Sequence, residues 1–384
     1  MSYQLIKQNV LVVGFGRLGS AIIRRLQASE NYCVSVADPH YEALQEARLM
    51  GIEGIELSGA QYQPILKNAL RNVSAVICAA PDFVALDVAK AAREIGCHYL
   101  DVSENSSTRR QIAALAVGAQ SAFVPGCGLA PGYVTSLATE ILSEVDPQAQ
   151  VTVYVGVLPQ QKNNRLGYGN MWGIDGLMTE YSSTCLAVRN SQVVALPPLS
   201  ELEDFYFNGM IYEAFTTAGT LDDLVYASAG EVGDLVFKTL RYPGHLDYMK
   251  FLIDDLGLGA RKSMLKNLML NGLPKVDDDQ LIISVETRNP MRSGIPPESL
   301  PGRRYELHFT STKLADGRSE SSVAMASAAH VCSVMDLLCR GGLRDHGLIS
   351  HSEINLGLLS QSAFFKPLRK LCKSPPYFVK ANMP

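Results

Sequence analysis

An α/β fold built on a doubly wound parallel sheet is predicted from three observations in the first third of the chain. Short continuous apolar runs alternate with segments of helical periodicity between residues 10 and 124. A glycine-rich stretch, GFGRLG, follows the first run. An acidic residue, Asp38, closes the second run nineteen residues after the last glycine of that stretch. Parallel strands are covered on both faces and joined by helical crossovers, so they read as unbroken apolar runs rather than as alternation.

The elements follow in order. VLVV (10–13) is a strand, and SAIIRRLQAS, after the glycines, is a helix. Gly14, Gly16 and Gly19 stand in G-x-G-x-x-G spacing. The first glycine allows a tight turn, the second lets backbone approach a pyrophosphate, and the third lets helix pack on strand. The helix N-terminus then offers N–H groups to the anion. Gly14, Phe15, Gly16, Arg17, Leu18 and Gly19 are therefore candidate cofactor contacts. CVSVA leads to Asp38, whose carboxylate can accept hydrogen bonds from ribose hydroxyls. Pro39, His40 and Tyr41 follow it instead of an arginine, which predicts NAD rather than NADP.

IEGIEL (52–57) is a strand, YQPILKNAL (62–70) a helix, and VSAVICAA (73–80) a strand ended by Pro81. FVALDVAKAAREIG (83–96) is an amphipathic helix, HYLDV (98–102) a strand, SENSSTRRQIAALAVG mostly helix, and SAFV (121–124) a strand. The series describes a Rossmann-type domain with right-handed crossovers. Ligands of such sheets bind beyond the carboxyl ends of the strands. The stretch from Ala79 to Asp82, with Ala79, Ala80 and Pro81 as candidate cofactor contacts, the stretch from Asp101 to Glu104, and residues 125–132 then become walls of a site. The last lie in FVPGCGLAPGY (123–133), where Gly126, Cys127 and Gly128 bring backbone close to the nicotinamide end of a dinucleotide, or form a hinge, or do both.

Composition narrows the class. The chain has 384 residues, enough for two domains, with 47% apolar and 19% charged residues. The net charge of −4, without a basic block, gives a nucleic-acid partner no electrostatic support. Eight cysteines without a C-x-x-C pair, with Cys33, Cys78 and Cys97 in or beside apolar runs, read as buried free thiols in a reducing, cytoplasmic setting. The start runs into a strand without a signal-peptide pattern, and no apolar stretch approaches the ~20 residues that span a bilayer. No membrane partner is expected. No tight His/Glu cluster points to zinc, so no metal is expected either.

From Tyr133 the pattern changes. A helix to about Ser143 leads into VTVYVGVLPQ (151–160), which alternates like a strand with one exposed face. GIDGLMTEYSSTC is a helix, and LAVRNSQVVAL a hairpin turning at Asn190–Ser191. Strands follow near 203–207, 211–216, 235–241, 280–288 and 304–313, with an amphipathic helix over 245–258 opened by Pro243–Gly244. Mostly antiparallel strands backed by helices predict an α+β domain. AMASAAHVCSVMDLLCRGG, from about 324, is a long helix that includes Met325 and His330 as packing residues. The tail from Pro367 is a surface extension.

GFGRLGS, HYLDVSE and VPGCGLAPG resemble the saccharopine dehydrogenase-like oxidoreductases. FKTLRYPGH (237–245), GLMTEY (176–181) and YEAFTTAG (212–219) are similar to their lysine 6-dehydrogenase branch. The likeness extends from residue 10 to about 260. It implies an NAD(P)-dependent enzyme acting on a C–N bond of an amino acid, and an α+β substrate and dimerisation domain inserted into the dinucleotide domain. The resulting division is 1–132, 133–323 and 324–384. The expected reaction converts an amine of a basic amino acid to its imine or semialdehyde. The alternatives are an imine-reducing enzyme of the saccharopine- or carboxynorspermidine-forming kind and a non-catalytic dinucleotide sensor. A homodimer or higher homo-oligomer is expected.

Hydride transfer needs orientation, a proton route and dry surroundings rather than a nucleophile. Asp101, at a strand end, is the candidate acid/base, with helix capping by Asp101 or Ser103 as the structural alternative. Arg241 and His245 are candidate binders of a substrate carboxylate, Lys238 a weaker one, and Glu180 a holder of a distal amine. Cys127 reads as a small filler rather than a nucleophile.

Overall fold

The computed structural model describes residues 7–219, 221–289 and 302–369. The tail predicted to be a surface extension lies outside these from Lys370 onward. The described chain forms two compact units. One runs to Ser136 and resumes at Ala324, and the other is Leu137–Val323.

The first unit opens with β1 (Gln8–Val13), α1 (Arg17–Gln27), β2 (Tyr32–Asp38), α2 (Tyr41–Leu49), β3 (Glu53–Glu56), α3 (Tyr62–Leu70) and β4 (Ala75–Cys78). It continues with α4 (Asp82–Ile95), β5 (His98–Asp101), α5 (Ser106–Ala116) and β6 (Ala122–Val124). All pair in parallel, in the order β6-β5-β4-β1-β2-β3. The chain therefore reverses its direction of winding between β1 and β4, the place where such sheets open a crevice. Leu11, Val13, Val76 and Cys78 are buried against the small apolar face of α4, including Ala85, Ala89 and Ala92. That helix stops at Gly96, whose φ of +86° is the left-handed turn that glycine adopts without strain.

The second unit begins within α6 (Tyr133–Leu142) and contains β7 (Gln150–Pro159), α7 (Ile174–Ser182), β8 (Cys185–Arg189), β9 (Gln192–Leu196), β10 (Glu203–Phe207) and β11 (Met210–Thr216). After α8 (Asp222–Ser228) come β12 (Asp234–Arg241), α9 (His245–Lys250), α10 (Lys262–Gly272), β13 (Asp279–Arg288), β14 (Arg303–Thr310), β15 (Thr312–Lys313) and β16 (Ser319–Glu320). An eight-stranded sheet runs β10-β11-β12-β7-β13-β14, with the β8–β9 hairpin attached to β12. The hairpin turns at Asn190 and Ser191, both at positive φ, as a two-residue turn matched to strand twist requires.

Two expectations need correction. β7 has no exposed face: it is flanked by β12 and β13, and all but two of its residues are buried. Its pairing with β12 is parallel, so the sheet is mixed. The helix expected over 245–258 is α-helical only to Lys250 and continues as a π-turn over Phe251–Asp255.

The return consists of α11 (Ser322–Cys339), β17 (Gly347–Leu348), α12 (Leu356–Leu359) and α13 (Lys366–Arg369). β17 adds a seventh parallel strand beside β6, pairing Gly347 with Ala122. Contrary to expectation, α11 is long and apolar enough to cross a membrane by length and composition. However, 83% of that window is buried inside the protein, as in a core helix. Cys33 is exposed and Cys339 half-buried, so not every thiol is interior.

Candidate active site

In the first unit the predicted cofactor residues meet at the carboxyl ends of β1, β2 and β4. A Cβ on Gly14 (φ +98°) would lie 2.8 Å from the Ala79 carbonyl oxygen, and one on Gly19 would overlap the Gly14 carbonyl. These two glycines are therefore required by the protein's own packing. At Gly16 a Cβ would meet nothing within 4 Å, so the backbone there faces open space. Gly16 is the N-cap of α1 and makes no side-chain cap, which leaves the helix N-terminus to a ligand. Phe15 is nearly buried, and Arg17 and Leu18 are half-exposed.

Asp38 is held in place by the chain itself. Its Oδ2 accepts from the Phe15 N–H at 2.8 Å, and its Oδ1 from the His40 N–H at 2.8 Å. Oδ1 also accepts from the His40 ring Nδ1–H at 2.9 Å, so it is Oδ2 that keeps a lone pair for a hydroxyl. Ala79 and Ala80 border the glycine turn, and Pro81 is exposed at the start of α4. The arrangement fits a dinucleotide: open backbone for phosphate at Gly16 and a fixed carboxylate for ribose at Asp38.

Asp101 ends β5, as the sequence suggests, but does not open to the crevice. It is fully buried. Its Oδ1 accepts from the N–H groups of Ser103 and Gly126, both at 2.8 Å, and its Oδ2 from the Tyr99 hydroxyl at 2.7 Å. Its carbonyl accepts from the Cys127 N–H at 2.6 Å. Burial raises its pKa, opposed by the Gly126, Ser103 and Tyr99 hydrogen bonds and the Arg109 charge. Asp101 is thus the anchor of the 125–128 loop. Neither Asp101 nor Ser103 caps α5; Asn105 does, accepting from Ser107 and Thr108.

Gly126, Cys127 and Gly128 are themselves buried, and a Cβ on Gly126 (φ +69°) would strike Arg109 at 2.7 Å. The opening of side-chain space in this loop is therefore demanded first by Arg109, Pro131 and the loop's own backbone.

In the second unit, Arg241 ends β12 with only 2% of its surface exposed. Its guanidinium lies over the rings of Tyr168 and Tyr181, 5.1 and 5.8 Å from their centroids. Nε donates to the Tyr181 hydroxyl at 2.9 Å and Nη1 to the Leu240 carbonyl at 2.9 Å. Nη2 lies 3.9 Å from Glu180 Oε2, beyond hydrogen-bond reach. That Glu180 oxygen is buried without a hydrogen-bond partner among the described residues. Burial pushes the Glu180 carboxyl up to about 7, with the Arg241 charge opposing.

His245 completes this group, although not as expected. Its ring is fully buried and stacked 6.2 Å from Phe215. Nε2 lies 2.9 Å from the Tyr181 hydroxyl, and Nδ1 lies 2.9 Å from the Leu166 carbonyl. Arginine only donates and a carbonyl only accepts, so the direction is fixed. Arg241 donates to Tyr181, Tyr181 to Nε2, and the Nδ1–H to Leu166. Burial and then the Arg241 charge lower the His245 pKa to about 3, keeping it neutral. His245 therefore orients Tyr181 and has no nitrogen left for a substrate carboxylate.

Lys238 is also corrected. Side chains alternate along β12, so it lies on the face opposite Arg241. There its Nζ donates to the Glu201 carbonyl at 2.8 Å and pairs with Glu203 at 3.0 Å. Sequence reasoning missed Tyr181, whose neighbour Glu180 was selected, and Tyr168, which carries no local signal. It also missed Glu213, which accepts from the N–H groups of Gly244 and Leu246 and so fixes the turn after Arg241. Beside that turn a shallow cavity of about 560 Å³ is lined by Lys162, Asn163, Asn164, Arg165, Pro243, Gly244 and Tyr248.

The sheet order and glycine turn define a two-unit, dinucleotide-binding protein. Family comparison agrees: residues 10–124 match the saccharopine dehydrogenase NADP binding domain, and residues 128–361 match the saccharopine dehydrogenase C-terminal domain. The chain belongs to the saccharopine dehydrogenase family and is an oxidoreductase. Among solved structures, its fold is shared with apo saccharopine dehydrogenase (L-Glu forming) from Saccharomyces cerevisiae. The TM-score is 0.75 at 17% identity, covering 94% of this chain and 97% of that one. A DAP dehydrogenase from C. glutamicum, in complex with DAP, aligns with a TM-score of 0.46 at 11% identity over 95% and 99% of the two chains.

Proposed function

We propose that the protein is an NAD-dependent enzyme that interconverts an amine of a basic amino acid with its imine or aldehyde product, a reaction of the lysine 6-dehydrogenase type. The observation that supports it is the buried pair of Arg241 and Glu180, 3.9 Å apart, whose carboxylate oxygen has no hydrogen-bond partner among the described residues. When bound, the nicotinamide supplies the hydride acceptor. Gly14 to Gly19 would hold its phosphates and Asp38 its adenosine ribose.

The chain's own residues then divide the remaining work. Arg241 offers Nη2 to a substrate carboxylate and is kept flat between Tyr168 and Tyr181. Glu180, half-ionised near neutrality, attracts the substrate ammonium and accepts its proton. This matters because an ε-ammonium, with a reference pKa of about 10.4, has no lone pair to assist loss of hydride. The fold shared with the yeast enzyme supports a second reading, in which an aldehyde and an amino acid are joined reductively. An NADH-linked screen of lysine, ornithine, saccharopine, and diaminopropane with an aldehyde separates them. Oxidation of a primary amine supports the first reading. Turnover confined to saccharopine or to the aldehyde mixture supports the second, and NADH binding without any turnover supports a sensor.

Two variants extend this reading. Asp38, pinned by the Phe15 and His40 amides, favours the ribose hydroxyl over a 2′-phosphate by about 2–4 kcal/mol, or ~30- to ~1000-fold in kcat/KM. Equal kcat/KM with the two cofactors removes the NAD assignment. Arg241→Lys keeps the charge but loses the fork. It should raise the substrate KM by an amount equivalent to about 1–3 kcal/mol while leaving NADH affinity intact. An unchanged KM places the substrate carboxylate elsewhere.

A further inference from the structure

Behind the 125–128 loop, three metal-ligating side chains from distant parts of the chain converge. Cys127 comes from the glycine loop, His330 from the middle of α11, and His351 from the turn after β17. One ligand atom from each lies within 4.8 Å of the others, and all three residues are buried. The His330 and His351 ring centroids are 5.5 Å apart.

The hydrogen bonding of the group is incomplete in a particular way. His351 Nε2 lies 3.2 Å from the Pro125 carbonyl, which can only accept. That nitrogen therefore carries the proton, and Nδ1 presents a lone pair without a hydrogen-bond partner among the described residues. A histidine whose far nitrogen is fixed on a backbone carbonyl is the usual form of a metal ligand. His330 is fully buried, and neither of its nitrogens has a hydrogen-bond partner among the described residues. An imidazole left so costs free energy unless something else meets it. Burial also favours its neutral, ligating form.

We propose that Cys127, His330 and His351 form a binding site for a thiophilic d10 cation, zinc(II) or copper(I). One thiolate and two imidazoles suit borderline-to-soft ions and disfavour magnesium or calcium, which take oxygen ligands. Binding replaces the Cys127 S–H proton: an S–metal bond forms, and one proton leaves to solvent for each ion bound. The nearby charges are Asp101, which acts on Cys127 and is itself offset by Arg109. With that pair balanced, copper(I) and the thiolate are neutral together, and zinc(II) leaves one positive charge. The bound ion would tie the loop anchored by Asp101 to α11 and to the turn after β17.

The test uses the full-length protein, stripped with a chelator, reloaded separately with zinc(II) and with copper(I) under reductant, and freed of excess ion by gel filtration. Metal content, proton release and melting temperature are read for the wild type, Cys127→Ser and His330→Phe. Phenylalanine keeps a ring in contact with Tyr133. The expected result is about one equivalent of one ion per chain in the wild type, with one proton released and a raised melting temperature. Each substitution should weaken binding by on the order of 100-fold or more. The ion retained identifies the metal. Wild-type retention below about a tenth of an equivalent for both ions overturns the proposal, as does equal retention by the wild type and Cys127→Ser. Should His330→Phe fail to fold, Cys127→Ser decides the matter alone. None of these readouts depends on turnover, so the proposed reaction stands or falls separately.

Discussion

Glu180→Gln is expected to lower kcat/KM by roughly 10²- to 10⁴-fold, the range for loss of a general acid–base group. The wild-type profile should rise through an apparent pKa of about 7, and the variant should lose that rise. Stability gives an independent check with a definite sign. Burial raises this carboxyl from its ordinary 4.5, so the folded protein prefers its neutral form. The associated stability is fully present below the unfolded-state pKa and is lost as pH rises through the folded-state value. Glutamine cannot ionise, so near about pH 8 the variant should be more stable than the wild type by on the order of 1–3 kcal/mol. Near about pH 4 the difference should vanish. Denaturant unfolding at the two pH values measures it. A variant with under about tenfold loss and an unchanged pH profile would make Glu180 only a counter-ion for Arg241.

Asp101→Ala is expected to destabilise the first unit by about 3–5 kcal/mol, because it strands buried donors that the carboxylate satisfies. Gly126 and Ser103 would lose their acceptor. For a unit of this size the melting temperature should fall by roughly 6–20 °C. Asp101→Asn is the informative companion. Its Oδ1 can still receive both amides, and its NH2 can donate to Tyr99, whose hydroxyl also reaches the Ala85 carbonyl at 3.0 Å. Asparagine should therefore cost only about 1 kcal/mol and keep kcat/KM within about tenfold. The opposite pattern, an unchanged melting temperature with a 10²- to 10⁴-fold loss on Asn, returns the acid–base role to Asp101.

Several features of the site were legible because they are local. Glycine spacing between a strand and a helix specifies a turn. Of the three glycines in that stretch, Gly14 and Gly19 prove to be those where a Cβ collides with backbone. Asp38 lies where its distance from them suggested, at the end of β2 and bonded to the Phe15 amide of that turn. The Asn190–Ser191 turn was legible because a two-residue hairpin admits few residue types. Arg241 was picked out from its stretch, although its burial was not. Unbroken apolar runs likewise announced a sheet covered on both faces.

What the sequence by itself determined is the winding of the first unit, the glycine turn after its first strand and the strand on which Arg241 sits. Only the tertiary structure decided the partners. Lys238 and Arg241 are three residues apart, yet strand pleating sends them to opposite faces. Asp101 and Gly126 are 25 residues apart, yet β5 and β6 pair in parallel and bring their ends together. Cys127 meets His330 and His351 across more than 200 residues, because the chain leaves the first unit and returns to it. Backbone preferences act over a few residues and can be read in order along the chain. Burial, charge pairing and ligand geometry depend on which segments become neighbours, and no local spacing encodes that.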